Sequence, residues 1–244
     1  MPDLPAPEPL REHRPGVWIG ASWLPFLGMV LHTRMFVLRL GDDLLLYSPS
    51  PAPLDDGTRQ GLEALGAPRW MVAPNEIHNV GLKPFQQAFP DIHTTGCPGH
   101  PKRVKDVRFH VIGGNVFLHE IAVLHVPTRT LLLADAIENL DERHLAKPPS
   151  AAMRWMMRKM GFREGEPCSS PEHYLYATAP DALEASLAVL EGWEPESILL
   201  CHGQILEGPA AREGLHESFT RTIAAVRARS RLGRCFWATA SRLQ

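Results

Sequence analysis

Three short apolar runs in this chain each stop at a residue that can bind a metal or move a proton, and no other feature narrows the possible folds as much. Trp70-Met71-Val72-Ala73 breaks at Pro74 into Asn75, Glu76, His78 and Asn79 before Gly81. Leu131-Leu132-Leu133-Ala134 runs into Asp135, and Ile198-Leu199-Leu200-Cys201 runs into His202-Gly203. Short apolar runs bounded by turn signals read as buried strands. In layered α/β proteins the ends of neighbouring buried strands share one sheet edge, so the pattern predicts that His78, Asp135 and His202 converge.

The segments between these runs predict what surrounds them. Residues 1–16 hold five prolines and read as an extended arm, residues 17–230 as one domain, and residues 231–244 as a tail. Trp18-Ile19 opens the sheet, and runs 34–40 and 44–48 form a hairpin across Gly41-Asp42-Asp43. A helix over 55–65 precedes the run into Asn75, giving a β-α-β passage. A short helix over 85–89, a strand over 92–95 and a loop over 96–105 follow. Strands are predicted over 107–112, 116–125 and 130–134, helices over 151–160, 180–193 and 209–229. This order indicates an α+β fold, a four-layer αββα sandwich with two stacked sheets between outer helices.

With 244 residues, 44% of them hydrophobic, the chain can bury a full core. A net charge of −2 supplies no general pull toward nucleic acid or an anionic membrane, and neither is an expected partner. The longest apolar stretch, 17–31, is broken by Gly20, Pro25 and Gly28 and is too short for a membrane span. The first residues lack the basic start and apolar centre of a signal peptide. Cys97, Cys168, Cys201 and Cys235 lie far apart with no CxxC pair, so reduced thiols and a cytoplasmic protein are expected, acting on a small-molecule substrate.

Imidazole and carboxylate suit zinc, iron or manganese. His78 and His202 each follow an apolar strand and precede a glycine that permits close backbone approach. Asp135 reads equally as a ligand and as the N-cap of a helical turn starting at Ala136, with Glu138 three residues on completing a capping-box pattern. His119, Glu120 and His125 fall in one predicted strand, where residues 119 and 125 share a face and Glu120 points to the other. The remaining histidines follow no strand-end pattern and read as structural. The Met-Trp helix over 151–160 reads first as core packing and second as the wall of an apolar cleft. The Lys102-Arg103-Val104-Lys105 cluster reads as a solvated turn, with anion binding as the other use. Loop and helix together would suit an acyl thioester or a phosphorylated small molecule.

The blocks Thr33-Arg34-Met35-Phe36-Val37, Ser48-Pro49, Val72-Ala73-Pro74-Asn75-Glu76-Ile77-His78, Pro127-Thr128-Arg129-Thr130-Leu131-Leu132-Leu133-Ala134-Asp135 and Cys201-His202-Gly203 occur in order between about Trp18 and about Phe219. In this combination the chain resembles a motif-degenerate branch of the metallo-β-lactamase-like superfamily. The resemblance implies an αββα sandwich with a metal site on one edge of its sheets and a metal-dependent hydrolase activity. Active members carry His-x-His-x-Asp-His, a further His, a bridging Asp and a final His. With Gly81 set on the glycine pair after that motif, His78 takes the place of its last His and Asn75 of its second. Ala73 and Ile77 stand where the first His and the Asp would be. Asp135 matches the bridging Asp and His202 the final His, while His119, Glu120 and His125 are candidates for the intermediate His. The resemblance thus implies one divalent transition metal, zinc or iron/manganese, on His78, Asp135 and His202 with Asn75 or water completing the shell. Besides the bridging Asp135, His125 or Glu120 would serve as general base, and the substrate would be a small ester, thioester or phosphoester. The other reading is a fold kept without catalysis, as a binding or scaffold protein.

Overall fold

A computed structural model describes residues 4–50, 54–95, 104 and 106–240. In chain order its elements are β1 (Glu8–Arg14), β2 (Val17–Phe26), β3 (Met29–Leu40), β4 (Asp43–Tyr47), α1 (Asp56–Leu65), β5 (Ala67–Val72), α2 (Leu82–Ala88), β6 (His93–Thr95), β7 (Val107–Val111), β8 (Ile121–His125), β9 (Thr130–Leu133), a 3-10 turn (Glu142–His144), β10 (Leu145–Lys147), α3 (Ala151–Lys159), α4 (Pro171–Tyr176), α5 (Pro180–Glu191), β11 (Ser197–Leu200), β12 (Leu206–Glu207) and α6 (Pro209–Ala240). One sheet runs β1-β2-β3-β4-β5-β6, with β10 also on β3, and the other runs β12-β11-β9-β8-β7.

Period-two alternation divides each strand between layers, because successive side chains leave a strand on opposite faces. Phe36 and Leu38 of β3, Leu45 and Tyr47 of β4, Ile121 and Val123 of β8, Leu132 of β9 and Leu199 of β11 meet between the sheets. Their neighbours Met35, Val37, Leu44 and Leu46 face outward under Leu62 of α1 and Phe85 of α2. On the other side, Ala122, Leu124, Leu131, Leu133, Ile198 and Leu200 pack under Leu183, Leu187 and Leu190 of α5 and Leu215, Phe219 and Ile223 of α6. These are the four layers of an αββα sandwich. No helix among the described residues is long and apolar enough to cross a membrane.

Several expectations are corrected. Glu8–Arg14 is not a free arm but an edge strand, antiparallel to β2. The strand expected from residue 116 begins only at Ile121, because Asn115 Oδ1 accepts from the amides of Phe117 and Leu118 and turns the chain first. His119 and Glu120 therefore precede the strand. No helical turn follows Asp135, so its N-cap role is not realised. The last helix continues past residue 231 to Ala240, where a tail was expected. The loop over 96–105 lies outside the described residues except for Val104, and its basic cluster with it.

The strand topology brings the ends of β5, β9 and β11 to one edge. β9 and β11 are parallel in register from Ser197↔Thr130 to Leu200↔Leu133, so Asp135 and His202 leave adjacent strand ends together. The two sheets are tied at this edge by backbone bonds from Ile121 to Pro74 (2.7 Å) and from Arg34 to Cys201 (3.0 Å). Gly203 closes the turn after His202 at φ +89°, and a Cβ there would collide with the Asn139 carbonyl. Gly203→Ala is therefore expected to cost about 2 kcal/mol or more. Urea denaturation checks this, and a loss under about 0.5 kcal/mol, the scale of a neutral surface change, contradicts the close approach.

Candidate metal centre

His78, Asp135 and His202 meet at the shared edge, with one donor atom from each within 4.8 Å of the other two. His78 Nε2 stands 3.3 Å from His202 Nε2 and 3.4 Å from Asp135 Oδ2. Bonds of about 2.0–2.1 Å to a tetrahedral zinc ion put neighbouring donors about 3.3–3.4 Å apart, so these two edges fit one ion without rearrangement.

Each donor is aimed by a partner on its far side. Ser48 Oγ holds His78 Nδ1 at 2.8 Å, and the His32 carbonyl lies 3.2 Å from His202 Nδ1. A carbonyl can only accept, so His202 carries its proton on Nδ1 and leaves the Nε2 lone pair for a ligand. Ser48 sits at φ +54°, a conformation uncommon outside glycine, at the end of β4 where its hydroxyl meets the imidazole. The Arg34 guanidinium donates to the carbonyls of Leu200 (3.0 Å) and Gly203, on both sides of His202. Asp135 Oδ2 accepts from the Asn75 amide nitrogen at 2.6 Å.

Glu120 supports the whole edge. One of its oxygens accepts from the amide of Ala134 (2.9 Å), the other from those of Asp135 (2.7 Å) and Ala136 (2.8 Å). The bend that presents Asp135 is thus built on a buried carboxylate in place of helical hydrogen bonds.

The charges shift one another. Burial raises the Glu120 pKa to about 7, with the Asp135 charge adding to the rise and the three amides opposing it. For Asp135 burial acts upward, but the charge and hydrogen bond of His78 outweigh it, with His202 and Asn75 assisting, and hold the carboxyl below its usual range. For His78 burial acts downward and Asp135 reverses it, so the imidazole is raised. His202, desolvated and beside His78, falls to about 4. These shifts favour protonation at His78 over His202, beside an Asp135 that stays ionised. Burial, with Asp135, Glu172 and Glu120 nearby, pushes Glu138 well above the ordinary carboxylate value.

Three predicted site residues have other places. Asn75 is not a ligand: its Oδ1 accepts from the amides of Ile77 (2.9 Å) and His78 (3.2 Å), and its NH2, which cannot bind a cation, points at Asp135 and Glu120. Glu120 is fully buried with its oxygens committed to backbone amides, so it is neither general base nor ligand. His125 pairs with Thr130 at the other end of the strands, roughly 16 Å along β9 from Asp135, where its Nδ1 meets the Thr128 hydroxyl. His119 is likewise absent from the group and pairs with Glu76 on the surface at 2.7 Å.

A cleft opens over the donors. It is lined by Thr33, Ser48, Glu138 and Glu172 near them and by Met153, Met156, Met157 and Met160 beyond. Both readings of the Met-Trp helix are realised: its methionines line the cleft, and Met157 belongs to a buried cluster against which Met153 packs. Trp155 faces outward with Lys159 above its ring. Arg34, Ser48, Glu138 and Glu172 were missed as site residues. Glu138 could have been found from its place three residues after Asp135, and Ser48 from its place at the end of an apolar run.

The sequence matches no family model and no curated protein. Solved structures do match. FIM-1 from Pseudomonas aeruginosa, a metallo-β-lactamase in its mono-zinc form, superposes with a TM-score of 0.60 at 16% identity, over 88% of this chain and 96% of that one. The Erythrobacter litoralis metallo-β-lactamase with β-mercaptoethanol in its active site gives 0.60 at 13% identity, over 87% and 96%. TMB-1 gives 0.57 at 12%, over 94% and 100%. At these identities the likeness is one of fold: the chain has a metallo-β-lactamase-like αββα sandwich.

Two outcomes are expected. Glu120→Ala leaves three buried amides without their acceptor and should cost about 3 kcal/mol or more in urea denaturation. A change below about 0.5 kcal/mol would mean the carboxylate is dispensable. Zinc must displace the proton on His78, so calorimetry at about pH 5.5 in buffers of different ionisation enthalpy should show about one proton released per ion, and affinity should fall about tenfold per pH unit below the raised His78 pKa. Zinc uptake without proton release would contradict the proton placement.

Proposed function

We propose that the cleft is the active site of a metal-dependent hydrolase holding one divalent transition ion, zinc or iron/manganese, on His78, Asp135 and His202. Its substrate is a small molecule with an ester, thioester or phosphoester bond. The observation that carries this reading is the pair of donor separations, 3.3 and 3.4 Å, at the floor of an open cleft. The mono-zinc form of FIM-1 gives the fold a precedent for single-ion occupancy.

When bound, the ion would supply Lewis-acid polarisation of the labile bond and activation of water. The residues of the chain prepare that chemistry. Ser48 and the His32 carbonyl fix both imidazoles so that Nε2 faces the cleft. Asn75 holds Asp135 Oδ2 in place and Glu120 fixes the backbone behind it. The methionine wall of α3 offers apolar contact beyond the donors.

Protein purified without chelator or nickel resin is expected to carry close to one equivalent of a transition metal and to cleave a member of an ester, thioester and phosphoester panel. Asp135→Ala should lower that rate by about a thousandfold, the several kcal/mol of lost metal assistance. Less than about a tenth of an equivalent of metal, with no rescue by zinc, manganese or iron, overturns the reading.

A second reading rests on another observation: the three donors already satisfy one another and their partners as a closed network, so the edge is stable without an ion. The fold would then serve as a binding or scaffold protein. Thermal unfolding with added zinc separates the two. Stabilisation of the parent by about 2–4 kcal/mol at saturating zinc, absent in His202→Ala, supports the metal site, and equal behaviour of the two supports the scaffold.

A further inference from the structure

The cleft has two ends of opposite character. Met153, Met156, Met157 and Met160 line one side with Leu24 and Met29, an adaptable apolar surface. Close to the donors stand Glu138 and Glu172, which the proposed metal set does not use. Glu138 is 6% exposed and its Oε2 is buried with no hydrogen-bond partner. Neither carboxylate has an ion pair among the described residues, and no lysine or arginine is among the described residues that line the cleft. A buried carboxylate oxygen without a partner is costly, so a site that retains one at the rim of a cavity is matched to a donor that arrives from outside. Besides Asp135, two carboxyl groups face the cleft with no lysine or arginine among the described residues that line it, which favours a cationic donor over a neutral one.

We propose that the cleft binds a substrate with an apolar chain and a cationic amine head, the chain lying along the methionine face of α3 and the ammonium pairing with Glu138 and Glu172. An ammonium brings three N–H donors and one positive charge, enough to satisfy Oε2 of Glu138 and bridge to Glu172. The chain contributes affinity in proportion to the methylenes it buries. This assignment names the substrate class of the hydrolase proposed above and rests on reading the same cleft as its substrate site.

Binding of octylamine, octanol and propylamine to the protein as purified, followed by calorimetry, tests it. Octylamine is expected to bind at least about tenfold more tightly than octanol, through the charged head, and than propylamine, through the chain. In the double variant Glu138→Gln with Glu172→Gln, octylamine should drop to the octanol level while octanol binding persists, which also reports an intact cleft. Glu172→Gln alone, at the half-buried position, should weaken octylamine by about threefold or more and serves if the double variant does not fold. Equal affinities of octylamine and octanol in the parent, no dependence on chain length, or an amine preference that survives the substitutions each overturn the proposal. A fall in bound metal in the double variant with the amine preference unchanged does so as well, by assigning the carboxylates to a second ion. Amine preference without turnover of any ester would remove the hydrolase and keep this site, whereas turnover without amine preference would do the reverse.

Discussion

Glu120 is the side chain on which the site depends. A carboxylate buried at a sheet edge can be held only by donors, and here the donors are three consecutive backbone amides of the bend that carries Asp135. The same carboxylate lies 3.4 Å from the Asn75 amide nitrogen, which in turn grips Asp135, so the β5 edge and the β9 edge are joined through one acid. Backbone bonds between Ile121 and Pro74 and between Arg34 and Cys201 close the edge from either side. The geometry of His78, Asp135 and His202 is then a consequence of how a buried negative charge is satisfied.

Much of this was legible in the sequence, for a physical reason. Alternating apolar residues commit strands to layers, and an apolar run that ends abruptly at His or Asp places that residue at a sheet edge, so the layered fold and the three donors could be read from local pattern. The errors arose where a side chain competes with the backbone. Asn115 turns the chain before Ile121, which takes His119 and Glu120 out of the strand and leaves His125 alone in it, at the wrong end. Asn75 looked like a ligand because it stands where a ligand stands in similar chains, but its amide is spent on the turn it begins. Residues 1–16 looked like an arm because of their prolines and charges, but Pro9 and the charges of Glu8–Arg14 are also what protects an edge strand from pairing with another chain. Glu138 and Glu172 come together through tertiary folding alone, since they belong to a loop and a helix far apart in sequence.

The separation between fold and site follows from the same forces. The sandwich tolerates identities of 12–16% with solved metallo-β-lactamases because its layers require only apolar residues of about the right size at alternate positions. A metal centre has no such tolerance, because each donor must lie within a few tenths of an ångström of its place. Ala73 and Ile77 bring no donor atoms to the turn after β5, and each of the three donors present is aimed by a buried partner: Ser48 for His78, the His32 carbonyl for His202, Asn75 for Asp135.

The surroundings of the donors are both acidic and apolar. In water-filled sites surplus carboxylates are solvated and cost little, but next to a methionine wall burial, with the Asp135 charge adding, raises the pKa of Glu138 and Glu172, which must take up protons or find a counter-charge. A protonated Glu138 and a cation-paired Glu138 are then alternative solutions to one electrostatic problem, the first when the cleft is free and the second when an ammonium head enters it. The strain held at Ser48 points the same way, since a left-handed serine persists only where its surroundings over-determine it, and here they fix one imidazole at the mouth of that cleft. Fixed donors on one wall and unsatisfied acceptors on the next are what a site needs to hold a polar head in one orientation while an adaptable apolar surface accepts chains of different length.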